Sequence, residues 1–202
     1  MTLSAPAILS QHDDLGIARR AMIDSQLRVS GINQDWLLAT IARVPREDYV
    51  PASARGHAYI DRAIPLDRDH ALPAPLVQAM LLAEAEPQPA DTVLVISQSG
   101  YLSALVEPLV QSVETVDAAG ALTLQSKARF SLILIDGAIE ALPGNVAGAL
   151  LDQGRVVTGL VLRGVTRLAA GSNSGGAVEL TPLAELGIPV LGEFAAPKAW
   201  SF

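Results

Sequence analysis

Asp91-Thr-Val-Leu-Val-Ile-Ser-Gln-Ser-Gly-Tyr101 is the stretch on which the fold turns. A short run rich in β-branched residues passes through Ser97–Gly100 into an apolar segment that starts at Tyr101, so a strand feeds a helix through a tight loop. In α/β proteins that join is the usual seat of a cofactor, because glycines there let the backbone come close to the ligand. This loop keeps one glycine, Gly100, and has no Gly-x-Gly pair.

Outward from it the pattern alternates. Strands are expected at Thr92–Ser97, Val113–Asp117, Ser131–Asp136 and Arg155–Leu162, with helices at Ser99–Gln111, Ala118–Ala128 and Ile139–Leu151. That order predicts a doubly wound, mostly parallel sheet covered on both faces. Upstream, residues 15–50 read as helical, with a stop at Gly31, an N-cap at Asn33 and a second stop at Pro45. Pro51, Pro65, Pro73 and Pro75 punctuate an irregular stretch, and a third helix is expected over Pro75–Glu86. Downstream, Thr166–Ala170 and Ala177–Leu180 flank Gly171–Gly176. Since no helix follows that glycine cluster, it reads as the turn of an antiparallel hairpin and not as a phosphate cradle. Residues 1–90 are expected to pack as an N-terminal segment on a core of residues 91–202, forming one structural unit.

Half the residues are hydrophobic but only 4% are aromatic, so the core should be aliphatic. A net charge of −7 without a basic cluster argues against a nucleic-acid binder. With no cysteine and three widely spaced histidines (His12, His57, His70), disulfides, a thiol nucleophile and a metal cage are not expected. The N-terminus lacks the basic region of a signal peptide, and no run approaches the ~20 apolar residues of a membrane span. The expectation is a soluble cytoplasmic protein.

Three stretches carry a resemblance. The first runs from Ala18 through Met22-Ile23 and Gln26-Leu27-Arg28 to Gly31-Ile32, Val44-Pro-Arg-Glu-Asp-Tyr-Val-Pro51, Ala58-Tyr59 and Asp61. The second is Pro65-Leu66 through Pro75 with its helix, then Val93-Leu94. The third is Phe130–Ile135 through Ile139, Pro143, Leu150-Leu151, Gln153-Gly154 and Arg155-Val156-Val157. In this order and spacing they resemble the protein-L-isoaspartate O-methyltransferase family. The resemblance implies a Rossmann-like methyltransferase sheet that binds S-adenosylmethionine at the carboxyl ends of its strands. It also implies methylation of the isoaspartyl α-carboxyl in damaged proteins, as a step of protein repair. A carboxylate attacks the sulfonium methyl in line, so positioning and exclusion of water supply most of the rate.

The family pattern is also departed from. The family's serine near the transferred methyl falls on Pro73, which has neither hydroxyl nor N–H, so no catalytic residue is carried over. Two glycine positions fall on Asp67 and Asp69, where negative charge would repel an incoming carboxylate. The loop family members write as V-L-E-I-G-x-G-S-G-Y reads Val93-Leu-Val-Ile-Ser-Gln-Ser-Gly-Tyr101, one residue shorter and with Val95 for the acid. Ser97, Ser99 and Gly100 are what remains there to meet a cofactor, together with Asp117, which matches the family's ribose-binding acid and reads equally well as a helix N-cap. On the substrate side the resemblance points to Tyr59, Asp61, Asp67, Asp69 and His70. Twelve residues (118–129) separate Asp117 from Phe130, enough for one crossover helix but not for the family's extra strand. The sheet should be one strand short, with the Val113 strand as a bare edge and helix Ala118–Ala128 on the face opposite Ser99–Gln111.

These losses favour a non-catalytic relative with weak or absent S-adenosylmethionine binding that serves as a binding or assembly module, with a protein or peptide partner open. The alternative is an active carboxyl methyltransferase. A serine hydrolase is disfavoured, because no histidine follows Ser99. The bare edge and aliphatic surface predict a homodimer. Trp36 is expected to pack the second helix onto the domain, Trp200 to pin the tail, Tyr59 to pack with an anchored hydroxyl, and Arg19, Arg20 and Arg28 to form a solvated face.

Overall fold

The computed structural model describes residues 5–196, so Trp200 lies outside the described residues. Helix α1 (Ala5–Met22) continues through a π-turn at Ile23–Leu27 and a 3₁₀ turn at Arg28–Ser30. Gly31 then ends it at φ +92°, a left-handed conformation open to glycine. At helix α2 (Asp35–Arg43) the N-cap position is Gln34 and not the expected Asn33, with no side-chain bond to the helix, and Val44-Pro45 stops it. Strands β1 (Ile64–Pro65) and β2 (Ala71–Leu72) form a small hairpin ahead of α3 (Pro75–Ala85), whose first turn carries Pro75.

The alternating core follows as β3 (Thr92–Ile96), α4 (Tyr101–Val106), β4 (Ser112–Val116), α5 (Ala118–Ala121), β5 (Phe130–Ile139), α6 (Gly144–Ala147) and β6 (Leu150–Leu162). Strand β6 turns into β7 (Val165–Ser174), followed by β8 (Ala177–Val178) and β9 (Thr181–Glu185). The sheet order is β4-β3-β5-β6-β7, with β8 and β9 both paired to β7. The first four strands are parallel, in register Val93↔Val113 and Val93↔Leu132; the pairs made by β7 are antiparallel. Strand order reverses between β3 and β5, and β4 is the bare edge expected from the short connection. Helix α4 packs its Tyr101, Leu102 and Leu105 on one face and α5 packs Ala118 and Ala121 on the other, as right-handed crossovers require.

Two expected helices shrink. Ala118–Ala128 and Ile139–Leu151 are helical only over four residues each, at α5 and α6. Gly120, Gly144 and Gly148 weaken both segments. Strand β5 also runs past Asp136 because the C-terminal segment meets its backbone: the Ala138 amide donates to the Pro189 carbonyl (2.7 Å) and the Leu191 amide to the Ala138 carbonyl (2.8 Å). Gly137 permits this approach, since a Cβ there would lie 2.6 Å from the Leu191 side chain. Strand β9 was not expected. The glycine cluster is a hairpin turn: Gly175 and Gly176, at φ +62° and +88°, make it, and the residues before them extend β7.

Two aliphatic layers result. On one face α1–α4 bury Leu27, Leu37, Leu82 and Leu102 against Val93, Val95, Leu132 and Leu134. On the other, α5, α6 and the C-terminal segment cover Leu94, Ile96, Ile133 and Ile135. Arg155 clamps the floor, donating to Asp91 (2.6 Å) at the start of β3 and to the Ala85 carbonyl (2.8 Å) at the end of α3, where a cation suits the helix dipole. Two single-residue expectations fail. Trp36 is 36% exposed, lining a shallow groove with Pro87 and Pro89. Arg19 is not solvated: it donates to the Tyr59 hydroxyl, to the Ala42 carbonyl and to Glu47.

Candidate functional site

In a doubly wound sheet a ligand sits at the carboxyl ends of the strands where the order reverses, here between β3 and β5. Ser97 directly follows β3, and its Oγ donates to Asp136 Oδ2 on β5 at 2.8 Å, across that switch point. The Gly100 amide donates back to Ser97 Oγ (3.3 Å) and the Tyr101 amide to Ser99 Oγ (3.1 Å), so the loop's own hydroxyls satisfy its own amides. Gly100 is at φ +77°, which explains why this one glycine is kept. Asp117 Oδ1 accepts from the Gly120 amide (2.6 Å): the structure places it as the N-cap of α5, exposed at the end of β4.

Below the switch point lies a polar chain that links the helical face to the sheet. Gln78 of α3 donates through Nε2 to both Asp136 oxygens (2.9 and 3.1 Å) and accepts from the Arg46 guanidinium. Arg46, fully buried, also donates to the carbonyls of Ala58 (2.8 Å) and Pro73 and sits 5.1 Å from the Tyr101 ring centroid. Burial pushes the Asp136 carboxyl up, against the lowering effect of Gln78, Ser97 and Arg46. Burial likewise lowers Arg46, against the carboxylates around it. Each side-chain nitrogen and oxygen of Arg46, Gln78 and Asp136 has a partner, the condition under which a buried polar network specifies geometry. Pro73 enters through its carbonyl, which needs no side-chain chemistry.

The substrate-side residues are fixed in other ways. Tyr59 Oη lies between Arg19 (2.6 Å) and Glu47, to which it donates, and burial raises it well above the ordinary phenol range; its hydroxyl is anchored as expected. Asp61 caps α3 by accepting from the Leu76 amide (3.1 Å). Asp67 accepts from the amides of Asp69 and His70 (both 2.8 Å) and from His70 Nδ1 (2.9 Å), so its charge closes the β1–β2 turn. Asp69 contributes its amide to that turn while its side chain stays exposed. His70 Nε2 reaches Glu193 at 2.7 Å, joining the turn to the C-terminal segment. The structure therefore brings Ser97, Ser99 and Gly100 together, and His70 with Asp67, but leaves Tyr59 in a separate cluster with Arg19 and Glu47.

Arg46, Gln78, Asp136 and Glu193 were not singled out by the sequence. Asp136 had a signal, a carboxylate closing the apolar run Phe130–Ile135, and so had Gln78, a polar residue on a helix that is otherwise mostly apolar. Glu193 had none, standing 123 residues from its partner.

Residues 18–132 match the family model of protein-L-isoaspartate(D-aspartate) O-methyltransferase. The protein-L-isoaspartate O-methyltransferase of Herpetosiphon aurantiacus is 36% identical over 112 residues, 55% of this chain and 50% of that protein. The enzyme of Methanoregula boonei is 31% identical over 128 residues, 63% of this chain and 58% of that one. The chain thus spans about half the length of the curated relatives it matches. Among solved structures, a protein-L-isoaspartate O-methyltransferase from Plasmodium falciparum in complex with S-adenosyl-L-homocysteine superposes with a TM-score of 0.71. It is 16% identical, covering 87% of this chain and 98% of that one. The sheet is accordingly of the Rossmann-like type that S-adenosylmethionine-dependent methyltransferases use, and the chain belongs to the protein-L-isoaspartate(D-aspartate) O-methyltransferase family.

Proposed function

We propose that this chain is a non-catalytic member of its family, with S-adenosylmethionine binding weak or lost, and that it works as a binding or assembly module for a protein or peptide partner. The carrying observation is the Ser97–Asp136 hydrogen bond across the switch point, buried and tied through Gln78 to Arg46. A sulfonium ligand laid there would have to break that bond and leave Ser97 and Asp136 partly unpaired, at a cost on the order of 1–3 kcal/mol per stranded group. The residues present do not fit the cofactor. Proline at position 73 supplies no donor to an incoming carboxylate, and the exposed Asp69 adds like charge on that side.

Ser99 supports no hydrolase reading either, since its described partners are the Tyr101 amide and Ser97 Oγ. The bare β4 edge supports self-association as a homodimer, which light scattering showing a monomer at high micromolar concentration would rule out. A second reading, an active carboxyl methyltransferase, draws on Gly100 in its left-handed conformation and on Asp117 exposed at the end of β4. Calorimetric titration with S-adenosylmethionine and S-adenosylhomocysteine, paired with a methyl-transfer assay on an isoaspartyl peptide, separates the two. No saturable heat and no transfer are expected; micromolar binding with transfer would overturn the first reading in favour of the second.

A further inference from the structure

The segment after β9 runs over the carboxyl ends of the strands, and its attachments are of two kinds. One is packing: Leu191 lies against Gly137, and Phe194 is buried beside Ala118, Ala121, Ile135 and Val146. Backbone bonds accompany it, from Ala138 to the Pro189 carbonyl, from Leu191 to Ala138, and from Glu140 and Ala141 to the Phe194 carbonyl. Side-chain bonds are the other: Thr166 Oγ1 holds Leu186 and Ile188, Glu140 accepts from the Ala196 amide, and His70 clasps Glu193, which carries the segment across to the β1–β2 turn. The segment thereby joins β5, α5 and the β1–β2 turn.

We infer that Leu186–Ala196 is a latch over the switch-point crevice, clasped by His70 between Asp67 and Glu193 and released when that clasp is broken. The inference rests on the reading that the crevice is closed, and adds what controls the closure. The geometry of the clasp carries it. Both ring nitrogens of His70 face carboxylates, Nδ1 toward Asp67 at 2.9 Å and Nε2 toward Glu193 at 2.7 Å. A neutral imidazole has one N–H and can donate to only one of them; the imidazolium donates to both. The backbone anchors lie at Ala138–Ala141, beyond the residues 132–135 that pair with β3, so the segment can open without unfolding the parallel sheet behind it.

The pH dependence follows from the groups that face the clasp: Asp67 from the turn, Glu193 from the latch, and Asp117 of the α5 cap behind Glu193. Glu193 and Asp67 raise His70 above the usual imidazole value, so its contribution is complete below about 6.5 and is lost as pH rises through the higher folded value. Asp67 and Glu193 are held low: the turn amide of Asp69 and then His70 lower Asp67, while burial raises Glu193 and the bond from His70 outweighs it. Their contribution is present above the ordinary carboxylate range and is lost as pH falls through the lower folded values. The latch should be tightest between about pH 4.5 and 6.5.

Hydrogen exchange read by NMR tests this on the full chain. The amides of Ala138, Glu140, Ala141 and Leu191 report the latch, and those of the β3–β5 ladder report the core. In His70→Gln and, separately, Glu193→Gln, exchange of the latch amides should rise about tenfold or more with the core amides unchanged. The wild type should show the same selective rise between pH 5.5 and pH 8 after correction for intrinsic exchange. Latch amides unchanged in both variants would overturn the inference, as would core amides rising in parallel with them. A micromolar S-adenosylhomocysteine affinity of the wild-type chain is a different failure, that of the closed crevice, and is read by titration rather than exchange.

Discussion

The two faces of the sheet are built by different means. One is covered by α1–α4, with Arg46, Gln78 and Tyr59 fixed beneath them, and the match to the family model at residues 18–132 takes in nearly all of it. The other is covered by two four-residue helices and a tail that folds back to bring Leu191 and Phe194 onto it. The first face is covered mainly by α1–α3, which precede the parallel strands, with one six-residue crossover helix, α4. On the second face the crossover helices have four residues each, the apolar surface still has to be covered, and a distant segment does it. The first face is local and family-like, and the second depends on a contact that closes late in the chain. The largest expected effect lies where the first face meets the sheet. Arg46→Met removes a buried guanidinium that serves Gln78, Ala58 and Pro73 and faces Asp136, and should cost about 4 kcal/mol. A lowered urea midpoint at unchanged m-value would register it. A cost under about 1 kcal/mol would mean that the polar chain does not couple helices to sheet.

That contrast also accounts for what the sequence disclosed. Strand β3, the edge position of β4 and the opposite placement of α4 and α5 were legible, because alternation and crossover handedness are local rules. Gly31, Pro45 and the glycine turn were legible as backbone constraints. The lengths of α5 and α6 were not, because the apolar residues at 118–128 and 139–151 fit longer helices while Gly120, Gly144 and Gly148 weaken them, and because β5 runs on to Ile139 beside a partner. The partner is Pro189–Leu191, some fifty residues away. The candidate site was half legible. Ser97 and Pro73 stood out as departures from the family pattern and Gly100 as what it keeps, whereas the partners Asp136, Gln78 and Arg46 come from three separate elements.

On the second face, Phe194→Ala should cost about 3 kcal/mol. The cost should be less than for Arg46, because a terminal segment can relax into the gap while a strand-helix junction cannot. Hydrogen exchange should place the loss at β5 residues Ala138–Ile139 and leave β3 protected. Uniform loss of protection would erase the distinction between the faces.

The floor of the sheet belongs to both faces, and Asp91→Asn should cost on the order of 2 kcal/mol at neutral pH by weakening the bonds from Arg155, Ser131 and the Gln88 amide. Burial pushes Asp91 up, but Arg155, Gln88 and Ser131 outweigh it and hold the carboxyl below the usual range. Its contribution is therefore present above the unfolded value near 3.9 and is lost as pH falls through the lower folded one. Thermal melts at pH 7 and pH 3 should show the gap between wild type and variant narrowing in acid. A gap that held constant would show that Asp91 acts by shape and not by charge.

The smallest effect is expected at the bare edge. Arg129 donates to Glu114 on β4 (2.8 Å) and stacks 4.4 Å from the Phe130 ring centroid, with both ionic side chains more than a third exposed. Exposed pairs of this kind contribute about 0–1 kcal/mol and weaken with salt. Arg129→Ala should lower stability by no more than that, with the difference shrinking further in 0.5 M salt. The segment between α5 and β5 would then be held by what it buries, chiefly Phe130 against the second face, and the ion pair would matter as a blunt end on an unpaired strand. A loss above about 2 kcal/mol would reverse that assignment: the connection that replaces the family's extra strand would owe its place to charge at the edge, and the second face would have two distant supports instead of one.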